Sequence, residues 1–218
     1  MVAGNALAAV AGFFFGSTTL SASIPFWELL IGLSCVVAAA CVCNNVSDRY
    51  MDAKMARTNN RAIAAGRISV RHAILFASAF LTLGIVLLWK INLLSLVFGL
   101  LGFVIYVFVY TPLKPKTPHA LWVGALAGAM PPVVGYVAAT NLLDWYAFIL
   151  FAALFLWQIP HFMAIAYYRY EEYQAAGVPL FVHQTPSNHT RQIARRIFHS
   201  SLIVLLFACA ALIASPLL

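Results

Sequence analysis

The sequence predicts an all-α protein: a polytopic transmembrane helical bundle of about seven spans, forming one domain over residues 1–218. Three observations carry this prediction. Of the 218 residues 63% are hydrophobic and only 9% charged, whereas a soluble domain is about 45–50% apolar and about 25% charged. The apolar runs are about 20 residues long and apolar on all sides, as a bilayer-crossing helix requires, while barrel strands would alternate over about 10 positions. The basic residues, finally, collect in alternate connections between the runs.

Only helices and closed barrels satisfy their backbone hydrogen bonds in lipid, so secreted disulfide scaffolds, disordered tails and nucleic-acid modules are excluded. Cys35, Cys41, Cys43 and Cys209 lie in apolar runs without metal or disulfide spacing and carry no expected role. The first run, Val2–Leu20, lacks the basic start of a secretory signal and reads as a span, shortened. Phe26–Cys43 is the second. His72–Trp89 and Ile91–Tyr110 follow, separated by little more than Lys90, and form a tight hairpin. In the fifth, Leu121–Ala139, Gly124 and Gly128 make a small face suited to close helix packing, and Pro131-Pro132 predicts a kink. Trp145–Tyr168 is the sixth and Ile197–Leu218 the seventh.

All of the 13 Lys and Arg except Lys90 fall in the loops at 44–71, 111–120 and 169–196. The net charge of +7 therefore reads as orientation, with the N-terminus and these three loops in the cytoplasm and Leu218 outside. Long polar loops beside a compact bundle are often functional.

The first of these loops carries the chemistry. If the second helix continues past the membrane face, Asn44, Asp48 and Asp52 recur at i, i+4 and i+8 in a stripe about 80° wide and about 12 Å long. Two carboxylates and an amide at a helix end in the membrane are costly unless a cation neutralises them. Magnesium suits these oxygen donors, since it takes one or two carboxylates and completes its shell with water and phosphate. The competing reading is a solvated helix end, with the acids paired to Lys54 and Arg49. Lys54, Arg57 and Arg61 follow within nine residues of Asp52; acids for a metal beside bases for phosphate oxygens are what a metal–diphosphate complex needs.

Asn44-x3-Asp48-x3-Asp52, then Lys54-Met-x-Arg57-Thr-x-x-Arg61 and Ala-Gly-Arg67-Ile-Ser, form one block. Tyr110-Thr111-Pro112-Leu113-Lys114 forms a second, Gly124 through Tyr136 a third and Trp157-Gln158-Ile159-Pro160-His161-Phe162 a fourth. In this order, from about Gly4 to the seventh run, the blocks resemble the UbiA superfamily of intramembrane prenyltransferases, and within it the branch that farnesylates haem. The resemblance implies Mg2+ held by Asn44, Asp48 and Asp52. It implies a farnesyl diphosphate bound by Asn44, Lys54, Arg57, Arg61, Lys114, Arg169 and Glu172, with Asp48, Asp52 and Tyr110 catalytic.

His161 is implied as a haem contact, by ligation or as pocket wall, imidazole being a haem-iron ligand. The reaction implied is transfer of farnesyl to a vinyl group of protohaem IX (haem b), giving haem O. Tyr106, Tyr110, Trp157 and Tyr167 are candidate aromatic faces for an allylic cation. Membrane lipid, haem A synthase and terminal-oxidase assembly proteins are the implied partners, in a bacterial cytoplasmic (inner) membrane rather than a mitochondrial one. Glu172 stands where the haem-directed branch usually has aspartate, and Ala176 where other branches carry a second acid. Family members usually have nine spans, so the chain is expected to be shortened at both ends. Two alternatives stay open: a small aromatic quinone precursor as acceptor, and a non-catalytic haem-handling protein or transporter.

Overall fold

The computed structural model describes residues 1–17, 23–182 and 184–215, and the regular structure among them is entirely helical. In chain order the elements are α1 (Val2–Gly16), α2 (Ile24–Ser47), α3 (Arg49–Asp52), α4 (Val70–Ile91), α5 (Leu93–Val104), a π-helix (Ile105–Tyr110) and α6 (Thr111–Leu113). Then come α7 (Ala120–Gly128), α8 (Met130–Thr140), α9 (Trp145–Tyr168), α10 (Tyr170–Ala175) and α11 (Asn188–Ala214). Among the described residues six helices are long and apolar enough to cross a membrane: α2, α4, α5 through α6, α7 with α8, α9 and α11. The first predicted run forms a shorter helix of 15 residues. The last residues of the first and seventh predicted runs, 18–20 and 216–218, lie outside the described residues.

The centre of the bundle is α8. Every residue from Met130 to Ala138 is buried, so this helix has no polar face, as expected of one surrounded by other helices. It packs on α1, α5, α9 and α2. Phe13, Phe14, Phe26, Leu29, Val36, Leu88 and Val134 join α1, α2, α4 and α8 in one apolar core. By contrast, Leu75, Phe76, Phe80 and Leu83 on α4, and Ile203, Val204, Leu206 and Phe207 on α11, are exposed; such faces are stable only against lipid tails.

Two kinds of local detail set the helix geometry. Where α1 crosses α8, a Cβ on Gly12 would overlap the carbonyl oxygen of Pro132, and one on Gly135 the carbonyl oxygen of Ala9. These glycines let two backbones touch, the packing available to helices that gain no hydrophobic energy by leaving lipid. The predicted kink falls at Ala129, between α7 and α8, because Pro131 and Pro132 lack the N–H groups that would continue the ladder.

The tight hairpin is present, and its joint is Asn92 rather than Lys90. Asn92 is extended, its side-chain oxygen accepts from the Ser95 backbone N–H at 2.8 Å, and its amide donates to the Val137 carbonyl at 2.8 Å. At the same end of the bundle the Asp144 carboxylate caps α9 and accepts from the Tyr136 hydroxyl at 2.8 Å.

The α1–α8 contact yields a stability prediction. Gly135→Ala forces a methyl group into a backbone contact and should destabilise the bundle by about 1–3 kcal/mol, read as a lower thermal midpoint in detergent. Gly4→Ala, where a Cβ would meet nothing within 4 Å, should leave the midpoint unchanged.

Candidate functional site

At the other end of the bundle the connections after α2, α6 and α9 converge. Helix α2 does not stop cleanly at Ser47: the Asp48 N–H bonds the Asn44 carbonyl at 2.8 Å and the Asp52 N–H bonds the Asp48 carbonyl at 2.7 Å. The chain therefore turns helically as far as Asp52, and the stripe of Asn44, Asp48 and Asp52 is kept. All three are buried, Asp48 at 3% and Asp52 at 1% exposure.

Burial decides between the two sequence readings of these acids. A solvated helix end is not observed, and neither acid is paired to Lys54 or Arg49. Instead Lys114 reaches Asp48 Oδ2 at 2.7 Å from the loop after α6, and Arg61 reaches Asp52 Oδ2 at 2.7 Å from the loop after α3. Arg49 turns away, donating to the Val46 carbonyl and lying over the Tyr50 ring. Asn44 donates through Nδ2 to Asp48 Oδ2 at 3.1 Å and to Thr111 Oγ1 at 3.2 Å, which leaves its amide oxygen available. Asn45 steadies Arg61 at 3.1 Å. Burial alone would pull the Lys114 ammonium down, but Tyr110 and the hydrogen-bonded Asp48 carboxylate hold it above the ordinary lysine value.

One oxygen of the cluster is unsatisfied: Asp52 Oδ1 is buried without a hydrogen-bond partner. A buried anionic oxygen left bare is costly unless a cation completes it. Among the described residues no group of three or more His, Cys, Asp and Glu gathers to make a protein-only metal cage. Two carboxylates and an amide with one bare oxygen fit a hard divalent cation that takes its remaining ligands from water and phosphate.

The cluster roofs a cavity of about 760 Å³ that runs into the bundle. Asn44, Asp52, Arg57, Arg61 and Lys114 line its charged mouth, whereas Asp48, paired with Lys114, is not on the wall. Deeper, the wall is apolar and aromatic, with Val36, Phe98, Phe103, Tyr106, Tyr110 and Trp157 among its residues. Across the mouth Arg57 Nε lies 3.7 Å from Glu172 Oε2, and Arg169 pairs with the other oxygen of Glu172. The first and third loops are thereby joined over one pocket. Arg169, Glu172 and Tyr167 do not themselves line it; Lys54 is exposed and also off the wall.

Tyr110 owes its position to two features. It ends the π-helix, whose wider turn precedes Pro112, a residue with no N–H to offer the regular ladder. It also fills the space left by Gly124, where a Cβ would sit 2.9 Å from its ring. The small face of Gly124 and Gly128 packs closely on its neighbours as expected, and what it meets there is the side chain of Tyr110 from the π-helix and that of Gln158 from α9. Tyr106 stacks on Tyr110, with ring centroids 5.1 Å apart.

His161 lies on the cavity wall beyond Trp157. Its ring stacks between Trp157 and Phe198, at 4.8 and 5.0 Å, and its Nδ1 lies 2.8 Å from the Ser201 hydroxyl. Thr111, Asn45 and Ser201 were not singled out from the sequence. Each is a small polar residue whose partner is distant in the chain, and only the proline after Thr111 gave a local signal.

Compared with known proteins, residues 5–218 match the UbiA prenyltransferase family. The chain is 41% identical over 214 residues to "Protoheme IX farnesyltransferase 2" of Pseudomonas fluorescens, covering 97% of this chain and 70% of the relative. It is 42% identical over 216 residues to "Protoheme IX farnesyltransferase" of Aliivibrio salmonicida, covering 97% and 72%. A UbiA homolog from Archaeoglobus fulgidus, solved bound to GPP and Mg2+, shares the fold with a TM-score of 0.67 at 19% identity, over 99% of this chain and 82% of that one.

The Lys114–Asp48 pair can be tested through its titration. Lys114 holds its proton more tightly folded than unfolded, where its ordinary value is 10.5; its contribution to stability is therefore complete below that pH and is lost as pH rises through the raised value. Asp48→Asn should bring the Lys114 titration down, because burial then acts with less opposition, as followed by NMR of carbon-13-methylated lysines. A titration that stays where it was would show that Asp48 is not what holds the proton.

Proposed function

We propose that this chain, which belongs to the UbiA prenyltransferase family, transfers a farnesyl group from farnesyl diphosphate to a vinyl group of protohaem IX, making haem O. The observation that carries this reading is identity of 41–42% along 97% of the chain with relatives that bear the name of that reaction. The site supplies the physical means: an anion-receptive mouth opening on an apolar, aromatic-lined cavity that reaches His161.

The mouth residues divide the work. Asp52, through its bare Oδ1, with Asp48 and the Asn44 amide oxygen, would hold Mg2+. When bound, Mg2+ offsets the charge on the diphosphate. Arg57, Arg61 and Lys114 stand around the same opening, and fixed cations there stabilise charge as it develops on the departing diphosphate. Arg169 and Glu172 order the third loop, and Lys54 contributes only from the surface.

The reaction is an electrophilic alkylation. The allylic carbon–oxygen bond breaks with both electrons leaving on diphosphate. The terminal vinyl carbon of haem forms the new carbon–carbon bond, and water adds at the inner vinyl carbon and gives up a proton. The apolar wall keeps water from the allylic cation, and the faces of Tyr106 and Tyr110 stabilise it by about 0.5–2 kcal/mol each. Imidazole at position 161 orients the acceptor through its iron.

The protein is integral to the membrane, and the reading extends to a bacterial cytoplasmic membrane with loops 44–71, 111–120 and 169–196 on the cytoplasmic side. Concentration of nearly all the basic residues at that end supports it.

Incubating the protein in lipid with farnesyl diphosphate, Mg2+ and haem b should yield farnesylated haem by mass; prenylation of a small aromatic acid with haem left unmodified would overturn the reading. Asp52→Asn and Arg61→Ala should each lower turnover by about 10²-fold or more. Lys54→Ala, at an exposed and screened position, should change it less than about threefold.

A further inference from the structure

The Ser201 hydroxyl has one proton, and it is given to the Phe198 carbonyl at 2.7 Å within α11. Its contact with His161 Nδ1 at 2.8 Å must then run the other way, with the imidazole donating. An imidazole carrying its proton on Nδ1 keeps the lone pair on Nε2. The ring cannot readily turn to exchange the two nitrogens. Trp157 and Phe198 stack on its two faces, and the Trp157 indole N–H is itself tied to the Ser201 carbonyl at 3.0 Å. Trp157 and His161, one helical turn apart on α9, thus both dock on the same residue of α11.

We propose that Ser201 is a positioning residue for the acceptor: it fixes the Nδ1–H tautomer and ring plane of His161, so that Nε2 is presented to the cavity as an axial ligand for haem iron. This deepens the reading above and rests on it. Metal-bound histidines almost always donate their other N–H to an orienting group, which sets the tautomer and tunes the strength of the ligand. A carboxylate partner would push electron density onto the iron and tighten the bond. A neutral hydroxyl does so less, and the resulting grip suits haem that enters as substrate and leaves as product.

The test is a titration of the full chain, in lipid nanodiscs, with ferric haem b in the absence of farnesyl diphosphate. The unchanged protein and Ser201→Thr, which keeps the hydroxyl, should share one Soret maximum and one affinity. Ser201→Ala should move the Soret maximum and weaken binding about tenfold, and His161→Ala should abolish the imidazole-ligated spectrum. Adding Ser201→Ala to His161→Ala should change nothing further, because Ser201 acts through the imidazole.

An unaltered spectrum and affinity in Ser201→Ala overturns the proposal. So does an equal loss in the His161→Ala background, which would make Ser201 a mere helix contact, or an unaltered spectrum in His161→Ala. Should the alanine variant not assemble, Ser201→Cys replaces the hydroxyl by a weak acceptor of similar shape and is read in the same way. Failure of the unchanged protein to form farnesylated haem defeats the parent reading instead, and is separate from these spectra.

Discussion

Two ion pairs at the end of α2 hold the working end of the molecule together. Asp48 and Asp52 are almost wholly buried, and each is matched by a cation from a different connection, Lys114 after α6 and Arg61 after α3. Removing one partner from a buried pair strands the other charge, at a cost of about 3–5 kcal/mol. The pairs therefore constrain the first and second loops to lie on α2. Arg57 and Glu172 then bring in the third. A mouth built this way keeps basic groups gathered before any substrate arrives, and leaves two buried carboxylate oxygens, Asp52 Oδ1 and Glu172 Oε2, without a hydrogen-bond partner.

Behind the mouth, the cavity exists because the surrounding helices are irregular where they border it. Straight, evenly packed helices would fill the space with side chains. Here the fifth span breaks at Ala129, and the fourth widens into a π-helix that turns Tyr106 and Tyr110 together. Glycines 124 and 128 give up side-chain volume to Tyr110 and Gln158. Elsewhere regularity returns: α8 is buried along nearly its whole length, and α1 lies against it backbone to backbone. The same bundle is thus closely packed at its centre and open at its reactive end.

Much of this was legible in the chain. The apolar runs, the kink at Pro131-Pro132 and the tight hairpin all follow from local rules, and the helices lie close to where those rules put them, except that α11 begins at Asn188, well before the predicted Ile197 and within the predicted third loop. The acidic stripe was legible too, because i, i+4, i+8 spacing is a property of one helix. Pairing was not. The cations closest to the acids in sequence, Arg49 and Lys54, bond the backbone or face solvent, while Lys114, 66 residues from Asp48, makes the contact.

By itself, then, the sequence determined the solvent this protein lives in, the order of its long helices, and the face of α2 on which its acids stand. Each depends on composition or on spacing within a single helix. Only the tertiary structure decided which base meets which acid, which glycines carry a backbone contact and which a side chain, and which nitrogen of His161 keeps its lone pair. Those outcomes depend on groups from separate helices meeting within about 3 Å, and no local pattern encodes which distant residue will arrive.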